Sequence, residues 1–500
     1  MTFLWLSGCA IQPRYETPEV AMPGAWSNIP ESASGGAMAR QEDWWTRFDD
    51  PAIDSLVESA LLDNPTLSQA AARVDEARAA VGVSRARRAP HLNANGSMSR
   101  GASQAQSGSA AAVIATSASL APSLSWELDL WGRARASEDA ARSRLDARGA
   151  DAEDARLSLI AQIADSVVAL RACNYSLAVR SKDIASREIE LSLIRQRLSV
   201  GNVSPVDEAS ASSDLFIAQT NRSSQEQFCT ELVDSLVALS GREANSIRSL
   251  VPQPSRFLLD AGNGVTSEDS GINAFASVVP SPPSFLLDMP ATVLRQHPSV
   301  RAAERELAAS YAEIGVARAD RLPRVDLSAL LTGQWIRAWG STTHSDTWSI
   351  GGALAVPIFD GGLGSANVEA AEARYRASLA NLEAILRTAT RDVEDSLAAL
   401  SSSQQRADTS TKAVDAALVA FHANEASYRA GAVSLFELEG SRRRLNAARE
   451  SAITAASDRA RSWISLVRAA GNPAMYAYPS GQSGDAKAVS TDFRSDRSVQ

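Results

Sequence analysis

The polar and apolar positions of this chain fall into two periods. From Ile163, an apolar residue recurs at every seventh position, through Leu170, Leu177, Ile184, Leu191 and Leu198. The stripe returns 230 residues later as Val393, Leu400, Ala407, Val414, Phe421 and Tyr428. Both stripes lie in proline-free stretches, 133–200 and 363–430. A sustained seven-residue period predicts long helices packed side by side with coiled-coil geometry. At 1.5 Å per residue such a helix is about 100 Å long. Shorter helical stretches flank each one, at about 54–89 and 205–240 in the first half and 291–322 and 434–470 in the second.

The second period is two. In "RVDLSALL", Val325, Leu327, Ala329 and Leu331 share one face. In "TWSIGGALAVP", Trp348, Ile350, Gly352, Leu354 and Val356 do so, opposite Ser349, Gly351, Ala353 and Ala355. Apolar residues alternating with small or polar ones are the pattern of a membrane-barrel strand, though an ordinary soluble hairpin fits the same stretches. The intervening "GQWIRAWGSTTHSD" (333–346) is expected to be a polar loop, and the first half carries fainter strands at about 91–100 and 113–128.

The two halves are copies of one unit. "NPTLSQAAARVDEARAAVGVSRARRAP" resembles "HPSVRAAERELAASYAEIGVARADRLP" at an offset of 233, and Gly132/Gly362, Gly201/Gly431 and Gly241/Gly471 keep an offset of 230. This is a tandem duplication. It predicts repeats at 54–240 (strands about 91–128) and 291–470 (strands about 324–357). The two short helices of a unit would stack end to end along the long one. The segments outside the repeats, 10–53, 241–290 and 471–500, would form a belt at mid-height. The fold class is therefore mixed, mainly α, with four strands per chain. Four strands cannot close a barrel, for which eight is about the lower limit, so oligomerisation is implied.

Composition adds exclusions. A net charge of −9 leaves no basic surplus for phosphates and argues against nucleic acid as partner. The four histidines (91, 297, 344, 422) have no metal-ligand spacing, no catalytic set is evident, and "GGLG" lacks the Lys and Ser of a phosphate loop. No cofactor and no enzymatic activity are expected. The start, "MTFLWLSGCA", looks like a short lipoprotein signal ending before Cys9, which would carry the acyl chain; it lacks a basic n-region.

"DWWTRFDDPAIDSLVESALLDNPTL", "AAARVDEARA", "SWELDLWGRARA", "HPSVRAAERELAAS" and "VPIFDGGLGSANV" together resemble the TolC-like outer-membrane efflux proteins, in the lipoprotein branch that serves resistance-nodulation-division pumps. The resemblance spans about 40–475. It implies a homotrimer with a twelve-stranded barrel in the outer membrane and a long periplasmic helical tube. It also implies a periplasmic adaptor and an inner-membrane pump as partners, docked at the tip, with outer-membrane lipid around the barrel. The two Gly turns become the tip. Val200, Gly201, Asn202, Ala430, Gly431 and Ala432 match the adaptor-docking surface, Phe436, Glu437 and Asp207 match gate positions, and Glu439 is the neighbouring acid that would substitute for a missing gate aspartate. Gly440 stands where other members place a ring aspartate, and Val433 where they place the basic partner of Asp207. Glu437 and Glu439 are equally suited to stabilising a helix N-terminus, and the Gly pair to tight-turn geometry.

Cys173 and Cys229 are each 28 residues from Gly201. In a hairpin turning there they lie at equal height, where an oxidising compartment permits a disulfide; two small buried residues would fit as well. The competing reading of the whole chain is a periplasmic adaptor or coiled-coil scaffold without a barrel. The strand alternation and the complete duplication favour the exit duct.

Overall fold

A computed structural model describes residues 15–28, 43–103, 113–253, 279–283 and 289–471. Cys9, the tail after 471 and most of the linker 241–290 lie outside these residues. A 3-10 turn at Trp44–Phe48 leads into α1 (Pro51–Asp63) and α2 (Pro65–Ala86), then β1 (His91–Ser103) and β2 (Val113–Leu128). The first long helix, α3 (Arg133–Ser199), is followed by α4 (Pro205–Ser240) and α5 (Ala244–Leu250). The second unit repeats the order as α6 (Pro290–Gln296), α7 (Pro298–Ala319), β3 (Arg324–Ala338), β4 (Ser341–Ala355), α8 (Leu363–Arg429) and α9 (Leu435–Ala469).

Helix breaks follow local chemistry. The stretches expected as single helices at 54–89 and 291–322 are each divided, at Asn64 and at His297. Pro65 and Pro298 follow, and a residue before proline is driven out of the α region. Asn64 then caps α2 by accepting from the Thr66 and Leu67 N–H groups, and His297 Nδ1 accepts from Ser299 N–H. The upper helices are therefore 22 residues each. Their lower ends meet the upper ends of α4 and α9: Asn64 Nδ2 donates to Leu239 O (2.8 Å), and Gly471 lies against His297.

The seven-residue stripe is the packing face. Ile163, Leu170, Leu177 and Leu191 of α3 and Val393, Leu400, Val414 and Phe421 of α8 are buried. The main core sits at mid-height, where the 44–48 turn brings Trp44 and Phe48 against Trp463, with Trp45 edge-on to Trp44 and α1 packed beside them. The most apolar stretch of α3 is buried within this core. A smaller cluster (Val414, Phe421, Leu438, Leu445, Ala452) closes the α8–α9 hairpin lower down. Cys173 of α3 and Cys229 of α4 form a disulfide, with Cα atoms 5.7 Å apart.

The strands form one antiparallel meander, β1-β2-β3-β4. Residues 333–346, expected as a polar loop, are strand. Ala338 pairs with Ser341 across a two-residue turn, with φ of +51° at Trp339 and +80° at Gly340, the positive pair that a type I′ hairpin requires. Alternation fades there because His344, Asp346 and Arg337 share the face of Leu331 and Trp348, while the hydrogen-bonded ladder runs on without it.

Candidate functional site

The register sorts the sheet into two chemically distinct faces. Val325 pairs with Leu354, Leu327 with Gly352, Ala329 with Ile350 and Leu331 with Trp348; directly paired residues point the same way. β2 adds Trp126, Leu124 and Leu120 to this face, and β1 adds Leu92 and Met98. The apolar side chains are exposed, Trp348 at 76% and Ile350 at 78%. The opposite face carries Asn93, Asn95, Ser97, Ser99, Ser117, Ser119, Ser123, Ser125, Ser328, Thr347 and Ser349. Hydroxyl pairs cross the strands there, Ser97 to Ser119 and Ser99 to Ser117, each at 2.8 Å. Trp126 and Trp335 bracket the apolar band about 26 Å apart along the strands at 3.3 Å per residue. This is one arc of a membrane barrel, apolar outside and polar within. Among the described residues, the outer strands β1 and β4 each leave one edge unpaired.

Sheet and helices are joined rigidly. Arg133, at the start of α3, donates two hydrogen bonds to Glu127 (2.9 and 2.8 Å) on the polar face and lies 3.8 Å from Asp320 of the α7 end. Asp129 accepts from the Ala134 and Arg135 N–H groups, and Asp360 does the same for Gly362 and Gly364 at the start of α8. Both carboxylates sit where the exposed N–H groups of a helix start attract negative charge. Just below, Glu138 accepts from Arg88 (2.7 Å), Arg85 (3.2 Å) and Arg142 (2.5 Å). The Arg88 hydrogen bond, with the other two guanidinium groups, outweighs burial and lowers its pKa to about 2.

At the far end the two turns are alike. Gly201 (φ +76°) and Gly431 (φ +74°) each close a Schellman motif, with Asn202 N–H donating to Arg197 O and Ala432 N–H to Ser427 O, both at 2.9 Å. Val200, Gly201, Asn202, Ala430, Gly431 and Ala432 are all exposed. The helices that follow begin at Ser204 and Ser434. Asp207 completes a capping box with Ser204, its carboxylate accepting from Ser204 N–H at 2.8 Å. Glu437 N–H donates to Ser434 Oγ, and the Glu437 side chain is exposed. Phe436 is 75% exposed with the Arg443 guanidinium 5.8 Å from its ring centre.

Glu439 lies elsewhere. It is 5% exposed, turned against α3, accepting from Ser186 Oγ (2.7 Å) and paired with Arg442 (3.0 Å). The structure thus separates Glu439 from Phe436 and Glu437. Glu439 belongs to a polar seam between α3 and α9 that sequence reasoning missed. Arg461–Asp165, Arg180–Glu450, Asn446–Asp183, Ser186–Glu439–Arg442 and Arg443–Glu190 descend it in order. Burial raises the pKa of Glu190 and of Glu450. The only sequence signal for the seam was charge at positions neighbouring the apolar stripe, indistinguishable from a solvated face.

A barrel arc continued by a helical wall defines a protein that conducts solutes through a membrane. The sequence matches the outer membrane efflux protein family over residues 56–242 and 289–472, and the chain belongs to that family. Nodulation protein T of Rhizobium leguminosarum bv. trifolii is 29% identical, over 94% of this chain and 95% of its own. Outer membrane protein OprJ of Pseudomonas aeruginosa is 30% identical, over 79% and 78%. Among solved structures, the outer-membrane channel OprN aligns with a TM-score of 0.76 at 25% identity, covering 93% of this chain and 99% of its own. The protein is an outer-membrane efflux channel.

Proposed function

We propose that three copies of this chain close into a twelve-stranded barrel continued by a helical tube, the exit duct of a tripartite efflux assembly. The observation that carries this is the single register that gathers Leu92, Leu124, Trp126, Leu327, Trp348 and Ile350 on one face and most of the hydroxyl side chains on the other, and that among the described residues leaves one edge of β1 and one of β4 unpaired. Edges of that length are stable only when paired. A periplasmic adaptor would dock on the exposed turns at Gly201 and Gly431, and an inner-membrane pump of the resistance-nodulation-division class would load the tube. Phe436, Glu437 and Asp207 ring the tip as its constriction, while Glu439 acts through the seam behind it.

Acylation of Cys9 fits the position of Tyr15, whose ring lies 5.6 Å from that of Tyr311. Tyr311 is eight residues below the end of α7, about 12 Å at helical rise. Six residues from Cys9 to Tyr15 span up to about 20 Å, so an acyl chain there reaches the membrane at the barrel's base. The test is reconstitution of the purified protein into planar bilayers together with native mass measurement. Discrete conductance steps from a trimer are expected; a monomer, or a trimer without conductance, would sink the proposal.

A further inference from the structure

Below the sheet lies a cavity of about 860 Å³ to which all four upper helices contribute, α2, α3, α7 and α8. α2 and α8 are the outer columns of that wall, so both can face one cavity only if the wall curves toward it. The concave side is also the side of the sheet's polar face. Asp320, which lines the cavity, meets Arg133, and Arg133 holds Glu127 of the polar face. When copies close into a tube, as the duct reading requires, this surface faces the lumen just below the barrel.

Its charge runs against that of the chain. Five arginines and three carboxylates line it in a protein of net charge −9. Arg144 is paired with Glu313 and Glu306, Arg148 with Asp151, and Asp320 with Arg133. Among the described residues, the guanidinium groups of Arg73, Arg87 and Arg374 have no hydrogen bond or ion pair, and Glu76 is the one lining carboxylate likewise unpaired. Each copy therefore presents a surplus of two positive charges there. Arg87 lies at the top of α2, and Arg73 and Arg374 lie 14 and 11 residues down from Arg87 and Leu363, about 15–20 Å at helical rise. The guanidinium fork matches carboxylate and phosphate oxygens, and a narrow low-dielectric passage lined by one sign of charge concentrates the opposite ion.

We propose that Arg73, Arg87 and Arg374 form a lumenal station for small multivalent organic anions, one that draws carboxylate- or phosphate-bearing solutes toward the barrel. This rests on the duct reading, and the experiment separates the two. Citrate is added on the barrel side of a bilayer containing the conducting protein, and the half-blocking concentration is read. It should rise about fivefold or more in Arg73→Gln/Arg87→Gln/Arg374→Gln and fall in Glu76→Gln. In a chloride gradient without citrate, the triple variant should shift its reversal potential toward cation permeability. If the triple variant does not assemble, Arg374→Gln alone should still move both readings in the same sense. Equal citrate block in wild type and the arginine variants, with conductance intact, overturns the station and leaves the duct. Absence of conductance in every protein, wild type included, overturns both.

Discussion

Duplicated positions separate backbone strain from packing. Gly241 and Gly471 end α4 and α9 with φ of +71° and +68°, a conformation that any side chain resists. A Cβ at Gly241 would meet nothing within 4 Å, whereas at Gly471 it would lie 2.9 Å from His297 Cα and Pro298 Cδ. Gly241→Ala should therefore cost about 1 kcal/mol, the left-handed penalty alone. Gly471→Ala should cost about 2–4 kcal/mol, because backbone at the α6–α7 joint must shift as well. Thermal unfolding followed by helical circular dichroism ranks the two, and equal losses would refute the reading. Glu138 is a second test at this scale. Its carboxylate is sealed by Arg85 and Arg88, themselves 66% and 39% exposed, so the site is closed but shallow. Solvent screening holds the expected cost of Glu138→Gln to about 1–2 kcal/mol. Its folded pKa of about 2 lies below the ordinary 4.5, so the stabilisation is present above pH 4.5 and lost as pH falls toward 2. The gap between wild type and variant should close over that window.

At the scale of elements, the long helices were legible because one seven-residue stripe fixes both their extent and their buried face. α3 ends at Ser199 and α8 at Arg429, each one residue before the Gly turn's cap residue. The strands were legible only where lipid demands alternation. Beyond it, in 333–346, polar residues such as Arg337, His344 and Asp346 enter the apolar face beside Trp335, and the hydrogen-bonded ladder rather than alternation records the strand. The breaks at Asn64 and His297 were written in the following prolines but hidden by helical composition on both sides. The tip was legible as a turn, whereas the inward placement of Glu439 was not, since burial of a carboxylate depends on Ser186, 253 residues away. The hairpins also differ in a way the repeat conceals: α3–α4 is stapled by Cys173–Cys229, while the described residues of α8–α9 include no disulfide. Closing a segment of 56 residues stabilises by about 4 kcal/mol in the chain-entropy account. Cys173→Ser/Cys229→Ser should lower the unfolding midpoint markedly while leaving single-channel conductance unchanged. A conductance change of the same order as in seam variants would show that the staple sets the tip.

For the whole molecule, the polar seam ties the two hairpins laterally from the apolar core downward, and among the described residues its links stop short of the turns. The lowest links, Arg443–Glu190 and Ser186–Glu439–Arg442, leave Glu190 eleven residues above Gly201, about 16 Å of unfastened tip. In the proposed duct, opening would be a shift toward a splayed state in which these links are broken. Glu439→Gln/Arg442→Gln removes a link without stranding a buried charge. At about 1–2 kcal/mol for a hydrogen-bonded charged pair, open probability should rise roughly tenfold. pH should act in the opposite sense. Burial raises the pKa of Glu190 above its ordinary value in the closed seam, and splaying wets it and returns that value toward 4.5. The closed state therefore binds the proton more tightly, so acidification from pH 7 favours closure, and the effect fades as pH rises through the folded pKa. Glu190→Gln should mimic low pH, lowering open probability and flattening its pH dependence, while the Glu439/Arg442 pair of substitutions raises it at every pH. Single-channel records between pH 5 and 8, roughly the carboxylate-to-neutral range, decide the matter. Opening on acidification would mean that the Arg443 attraction, rather than the burial of Glu190, governs the seam.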